Sequence, residues 1–257
     1  VWLNQVTGLR VDLVAVLMTS ALSLFSAELA YYIRKKTVGA TLWFLVASVI
    51  FLLIPAIVFK NVFGLREHIV ALGLWPYLVL RVSATDSKQL GLSLRILLGV
   101  WMGCTLLFKY LYVLLVLLVE VSDAFLQRRP LLLFRAENLW AGAIVLFYLL
   151  LWLGLQPTNR EAIEAMVSAI SANTVSPMES ALRASLQICS ATLLLLIASF
   201  YGVPTRQRLI AFAAVVGAIL VAWAQMRWYT HHLFPVFLGH ILWLWLGRTS
   251  LPRWFKM

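Results

Sequence analysis

Three short stretches hold the residues whose types and spacing could do chemistry. In Phe63-Gly64-Leu65-Arg66-Glu67-His68 a guanidinium, a carboxylate and an imidazole follow one another at the mouth of an apolar run that continues to Trp75-Pro76-Tyr77. Such a trio can bind a phosphate, move a proton and contact a polar ligand. An interfacial anchor with an internal Arg–Glu pair is the plainer reading. The second stretch runs from Gln225 to Pro235 and contains Arg227, Tyr229, His231 and His232. Adjacent histidines diverge on a helix, and HxxxH and HExxH spacings are absent, so no metal ligand set is assigned. A phosphate or sugar site built from Arg227, Tyr229 and either histidine competes with an aromatic belt carrying hydrated histidines. The third feature is Lys109, which splits two apolar runs. It can snorkel to the interface or neutralise a phosphate. Glu120, Asp123 and Arg128 form a further polar group expected to be structural, and His240 reads as a hydrogen-bonded core histidine.

The elements that position these residues are apolar helices. The chain has 257 residues, 63% hydrophobic and only 12% charged, with a mean hydropathy of +0.92. A soluble domain is nearer half apolar and a quarter charged. A bilayer accepts the surplus as its own solvent. The net charge of +11 comes from dispersed Lys and Arg that punctuate apolar segments, which argues against nucleic acid as partner and for a bilayer. Cys104 and Cys189 lie in apolar runs and read as small core residues. The first residues lack the plan of a cleavable signal peptide. The start at Val1 suggests a processed or truncated piece of a longer protein.

Uncharged runs predict spans at 40–59, 138–159, 184–205, 209–226 and 228–247. Further spans are expected at 11–33, near 89–107 and near 110–126. The shorter run 69–80 is a brief span or a re-entrant piece. The expected fold is therefore all-α: one polytopic transmembrane bundle over 1–257, with about nine spans. With Val1 outside, thirteen of the 21 basic residues fall in inside loops and seven at outside ends, with Arg95 left within a span. That bias places the C-terminus in the cytoplasm. The polar segment Thr158 to Ala172 has capping-box spacing and an apolar stripe at Ile163, Met166, Val167 and Ile170. It predicts a short amphipathic helix on the outer surface, serving as a connector or a lid.

The order of these features resembles a known family. Phe63–His68 followed by Pro76-Tyr77 is similar to the "FGQREH…LPY" stretch of bacterial multi-spanning glycosyltransferases of the GT-C superfamily. Leu97-Leu98-Gly99 to Lys109, ending near Glu120, resembles their glycine-rich helix, "KP" and "E" segment. Gln225 to Pro235 resembles their "Q.KGW.YH..P" motif, matched best at Tyr229, His232 and Pro235. The resemblance covers roughly residues 1–248. It implies a membrane enzyme of the bacterial cytoplasmic membrane that takes a sugar from a polyprenyl-phosphate donor. The sugar would pass to an envelope glycan or glycolipid acceptor on the periplasmic side. Arg66, Lys109 and Arg227 would then meet phosphate, and His68, Tyr229, His231 and His232 would contact sugar or phosphate. Glu67 is the outer-face carboxylate. Such enzymes usually carry a catalytic acid in a large outer loop after the first span. Here Asp12 is the only early aspartate, and either that loop lies upstream of Val1 or the activity is absent from this chain. Lys109 precedes Tyr110 where the family pattern has proline. No cofactor is assigned and a divalent metal stays open, since metal dependence varies among such enzymes. The competing classes are a transporter or flippase of lipid-linked saccharide and a non-catalytic membrane scaffold.

Overall fold

The computed structural model describes residues 11–58, 66–83, 90–155, 176–200 and 204–224, and among these there is no β-strand. The described residues form eight α-helices in the order α1 Val11–Thr37, α2 Leu42–Val58, α3 Arg66–Ser83, α4 Leu92–Leu106, α5 Val113–Gln127, α6 Ala136–Leu155, α7 Pro177–Phe200 and α8 Thr205–Ala224. Short 3-10 turns, Tyr110–Tyr112 and Pro130–Phe134, flank α5. Helices are what such apolar runs must form where no water is present to satisfy the backbone. At the end of α1, basic Arg34, Lys35 and Lys36 complement the helix dipole. Gly39 then takes a positive φ of 89° and the chain turns back into α2.

α3 is the axis of the bundle. It packs against α1, α4 and α8, and more lightly against α2, and all its residues except Arg66 and Ile69 are buried. Its Pro76 lacks an N–H and so leaves the carbonyl of Leu72 without its helical donor. The Ser26 hydroxyl from α1 donates to that carbonyl, and Trp101 Nε1 from α4 donates to it at 3.3 Å. The break in the backbone ladder thus ties three helices together. Around this axis α4 packs on α6, α5 on α8, and α7 on α8. Gly99 and Gly103 let α4 and α6 approach closely. A Cβ at Gly99 would lie 2.5 Å from the Glu137 carbonyl oxygen, and one at Gly103 would lie 3.1 Å from Ala141 Cα. Such small-residue contacts are how helices associate where lipid is as apolar as their side chains.

Three helices are long and apolar enough to cross a membrane: Leu13–Thr37, Tyr110–Gln127 and Thr205–Ala224. Three shorter apolar helices are Leu42–Leu53, Leu92–Leu106 and Ala136–Leu151. The outer face carries large exposed apolar side chains such as Trp43, Phe125, Phe147 and Leu150. That surface fits a membrane protein, since soluble chains rarely expose contiguous apolar faces of this extent. The expected number of about nine spans is not supported, because only these three helices qualify among the described residues. The run 69–80 proves to be the middle of an 18-residue helix. Its ends carry Arg66, Glu67 and Arg81, which hydropathy counts against a span. The expected span 228–247 and the amphipathic helix 158–172 lie outside the described residues.

Candidate functional site

Ionisable side chains gather at both ends of α3. Glu67 stands in its first turn and Arg81 in its last, about 21 Å apart along the axis at 1.5 Å per residue.

At the Glu67 end, the partner comes from the link between α4 and α5. After Leu106 the chain turns, Lys109 adopts an extended conformation, and the Tyr110–Tyr112 turn starts the next helix. This sharp reversal carries the ammonium group back over the start of α3, where Lys109 Nζ donates to Glu67 Oε1. Both side chains are largely withdrawn from solvent, with 16% and 6% exposure. Glu67 also benefits from its position at a helix N-terminus. Tyr112, fully buried, sits within electrostatic reach of Glu67, and its hydroxyl has no hydrogen-bond partner among the described residues. Arg66 is exposed beside them. His68 is fully buried, and its ring Nε2–H donates to the Leu52 carbonyl at 2.7 Å. A carbonyl can only accept, so this nitrogen carries the proton. The bond pins α3 to α2 and commits that edge of the imidazole to the fold.

The structure therefore brings together Arg66, Glu67, His68 and Lys109 from two of the three stretches that the sequence marks. Asp12 stands in the first turn of α1, with its side chain outside the description. Arg227, Tyr229, His231 and His232 lie outside the described residues.

The far end of α3 holds a larger group. Arg81 Nε donates to Glu120 Oε1 and its NH2 to Glu137 Oε1 at 2.8 Å. Arg95 Nε reaches the other oxygen of Glu137 at 2.9 Å. Arg135 bridges Glu120 at 3.3 Å and Asp123 at 2.8 Å, and Arg206 meets Asp123 at 2.8 Å. Tyr77 donates to Glu120 at 2.8 Å, and Arg81 lies over the Tyr77 ring. Arg34 of α1 joins the same end through Ser83 at 3.4 Å. Arg34, Arg81, Arg135 and Arg206, which charge bias groups on one side, thus share one end of the bundle. Sequence reasoning marked Glu120 and Asp123 but gave them Arg128 as partner. Arg128 is an exposed residue of the α5–α6 turn with a positive φ of 53°. The signal that could have found Arg81, Arg135 and Glu137 is their position flanking apolar runs, where an ion has to find a partner or leave the bilayer. Here every carboxylate is held by guanidinium groups, an arrangement suited to clamping helices. Proton transfer would need a less encumbered acid or base.

Among the described residues no group of three His, Cys, Asp or Glu side chains is placed to hold a metal ion. Comparison with protein-family models, curated proteins and solved structures returned no match.

Proposed function

We propose that the chain is a GT-C-type membrane glycosyltransferase that moves a sugar from a polyprenyl-phosphate donor to an envelope glycan or glycolipid. What supports this reading is the meeting of Glu67 and Lys109, 42 residues apart in sequence, beside exposed Arg66 and the buried Tyr112 hydroxyl. A base beside a cation at one end of an apolar bundle is what transfer from a lipid phosphate requires. In this reading that end faces the periplasm and the C-terminus lies in the cytoplasm.

Glu67 takes the proton of the acceptor hydroxyl as its oxygen bonds to the anomeric carbon from the face opposite the phosphate. The bond from that carbon to the phosphate oxygen breaks, and its electron pair leaves with the polyprenyl phosphate. Lys109 and Arg66 meet the charge that develops there. Without donor, Lys109 neutralises Glu67. A donor phosphate competes for the ammonium and so raises the basicity of Glu67 only when there is a sugar to transfer. Arg227, Tyr229, His231 and His232, which lie outside the described residues, are the further sugar and phosphate candidates that the family resemblance names.

The test is transfer from a polyprenyl-phospho-sugar in membranes that contain the protein. Glu67→Gln lowers turnover by about 10²–10⁴, the usual worth of a positioned general base, while the protein stays folded in the membrane. Undiminished turnover in this variant rules Glu67 out as the base. A second reading, transport of a lipid-linked saccharide, draws on the charges paired between helices, Arg81 with Glu120 and Arg95 with Glu137. In that case the saccharide changes leaflet in vesicles and no glycosidic product forms.

A further inference from the structure

α5 and α6 follow one another in the chain yet are held apart. α5 leans on α8, α6 leans on α4, and the Pro130–Phe134 turn packs against both. Between them opens a groove of about 550 Å³, within the range of ligand cavities. Its walls are apolar, with Leu117 and Val121 on α5 and Gly142 and Leu146 on α6. It extends along α6 from Asn138 to Leu149, about 16 Å at 1.5 Å per residue. That is about one leaflet, half of the ~30 Å hydrocarbon core.

Two features tell against an unfilled packing gap. First, Gly142 lies in the groove wall, and among the described residues a Cβ built there would meet nothing within 4 Å. The glycines of α4 earn their place by close helix contact, but this one has no such contact. In a helix interior glycine costs about 0.5–1 kcal/mol relative to alanine. Second, the ends of the groove differ in chemistry. At one end Asn138 and Glu120 replace the apolar lining, and the neighbouring turn carries exposed Arg128 and Arg129, then exposed Leu131 and Phe134. Basic and apolar residues side by side are suited to the headgroup level of an anionic leaflet.

We propose that this groove is a resident site for one chain of an anionic phospholipid, with its phosphate held at the lip by Arg128 and Arg129. Behind the lip, Arg81, Arg95, Arg135 and Arg206 face Glu120, Asp123 and Glu137, so that network keeps one surplus positive charge, to which the two exposed arginines add theirs. This site lies at the opposite end of α3 from Glu67 and does not depend on the glycosyltransferase reading.

The protein is reconstituted in phosphatidylcholine vesicles and probed by electron spin resonance, with spin-labelled phosphatidylglycerol or spin-labelled phosphatidylcholine. The immobilised component favours phosphatidylglycerol, by roughly fivefold for each arginine near the surface. Gly142→Leu fills the groove and removes that component, with thermal stability unchanged or higher. Replacing Arg128 and Arg129 by Gln keeps an immobilised chain but equalises the two lipids. Equal immobilisation of both labels in the unaltered protein overturns the proposal, as does an undiminished component in Gly142→Leu. A loss of thermal stability in Gly142→Leu also overturns it, since the groove would then hold another part of the chain.

Discussion

Glu67 and Lys109 share one desolvated contact, and removing one partner strands the other. Lys109→Met is expected to destabilise the protein by about 2 kcal/mol, below the 3–5 kcal/mol of a fully buried pair because the lysine end is partly solvated. Thermal melting in detergent measures this, and Glu67→Gln in the same background should recover most of the loss. If Lys109→Met melts as the unaltered protein does, the contact contributes little. At this scale the sequence shows the participants better than their roles. Arg66, Glu67 and Lys109 stand out because charge at the end of an apolar run is costly. His68 stands out equally, yet its ring is bonded to the carbonyl of Leu52. No spacing reveals such a bond, because its acceptor is an ordinary backbone group on another helix.

Helices were legible wherever charge was absent. The expected spans near 89–107 and 110–126 correspond to α4 and α5, and Lys109 does mark the boundary between them. α3 was harder to see. Hydropathy registers only its uncharged middle, whereas its charged ends are buried through partners that other helices supply. The Pro76 bond exchange was equally hidden, since it depends on Ser26 and Trp101 reaching one carbonyl from two sides. Contacts between helices make different demands on different glycines. Gly103→Leu should drive α4 from α6 and cost about 1–3 kcal/mol or more, the usual range for overpacking. The fall in melting temperature of Gly103→Leu, set beside Gly142→Leu, checks this directly. Equal tolerance at both positions would mean that the α4–α6 contact is looser than described.

Across the whole molecule, the network around Arg81 joins α3, α4, α5, α6 and α8. Buried ion pairs add little net stability compared with apolar packing, but they penalise any arrangement that leaves a charge unmatched. Arg81→Met should therefore destabilise by about 3–5 kcal/mol. Adding Glu120→Gln should restore part of that loss, with a coupling of about 0.5–3 kcal/mol in a double-mutant cycle. Additive losses would show that the pair is not coupled. Charge bias had put Arg81, Arg135 and Arg206 on one side, because basic residues that flank apolar runs collect on one face, and had left Arg95 within a span. The pairing itself was not legible, since Glu137 and Arg81 meet across 56 residues of chain.

The burial of α3 along nearly all its length has a consequence for how the protein is made. When α3 leaves the ribosome, the partners for both its ends, Lys109, Glu120 and Glu137, have yet to be synthesised. With a charged group at each end and a short greasy middle, it is a poor candidate to enter lipid alone. Its settled position must come late, after α4 to α6 have emerged, so that assembly of the bundle runs backwards around an axis translated among the first helices.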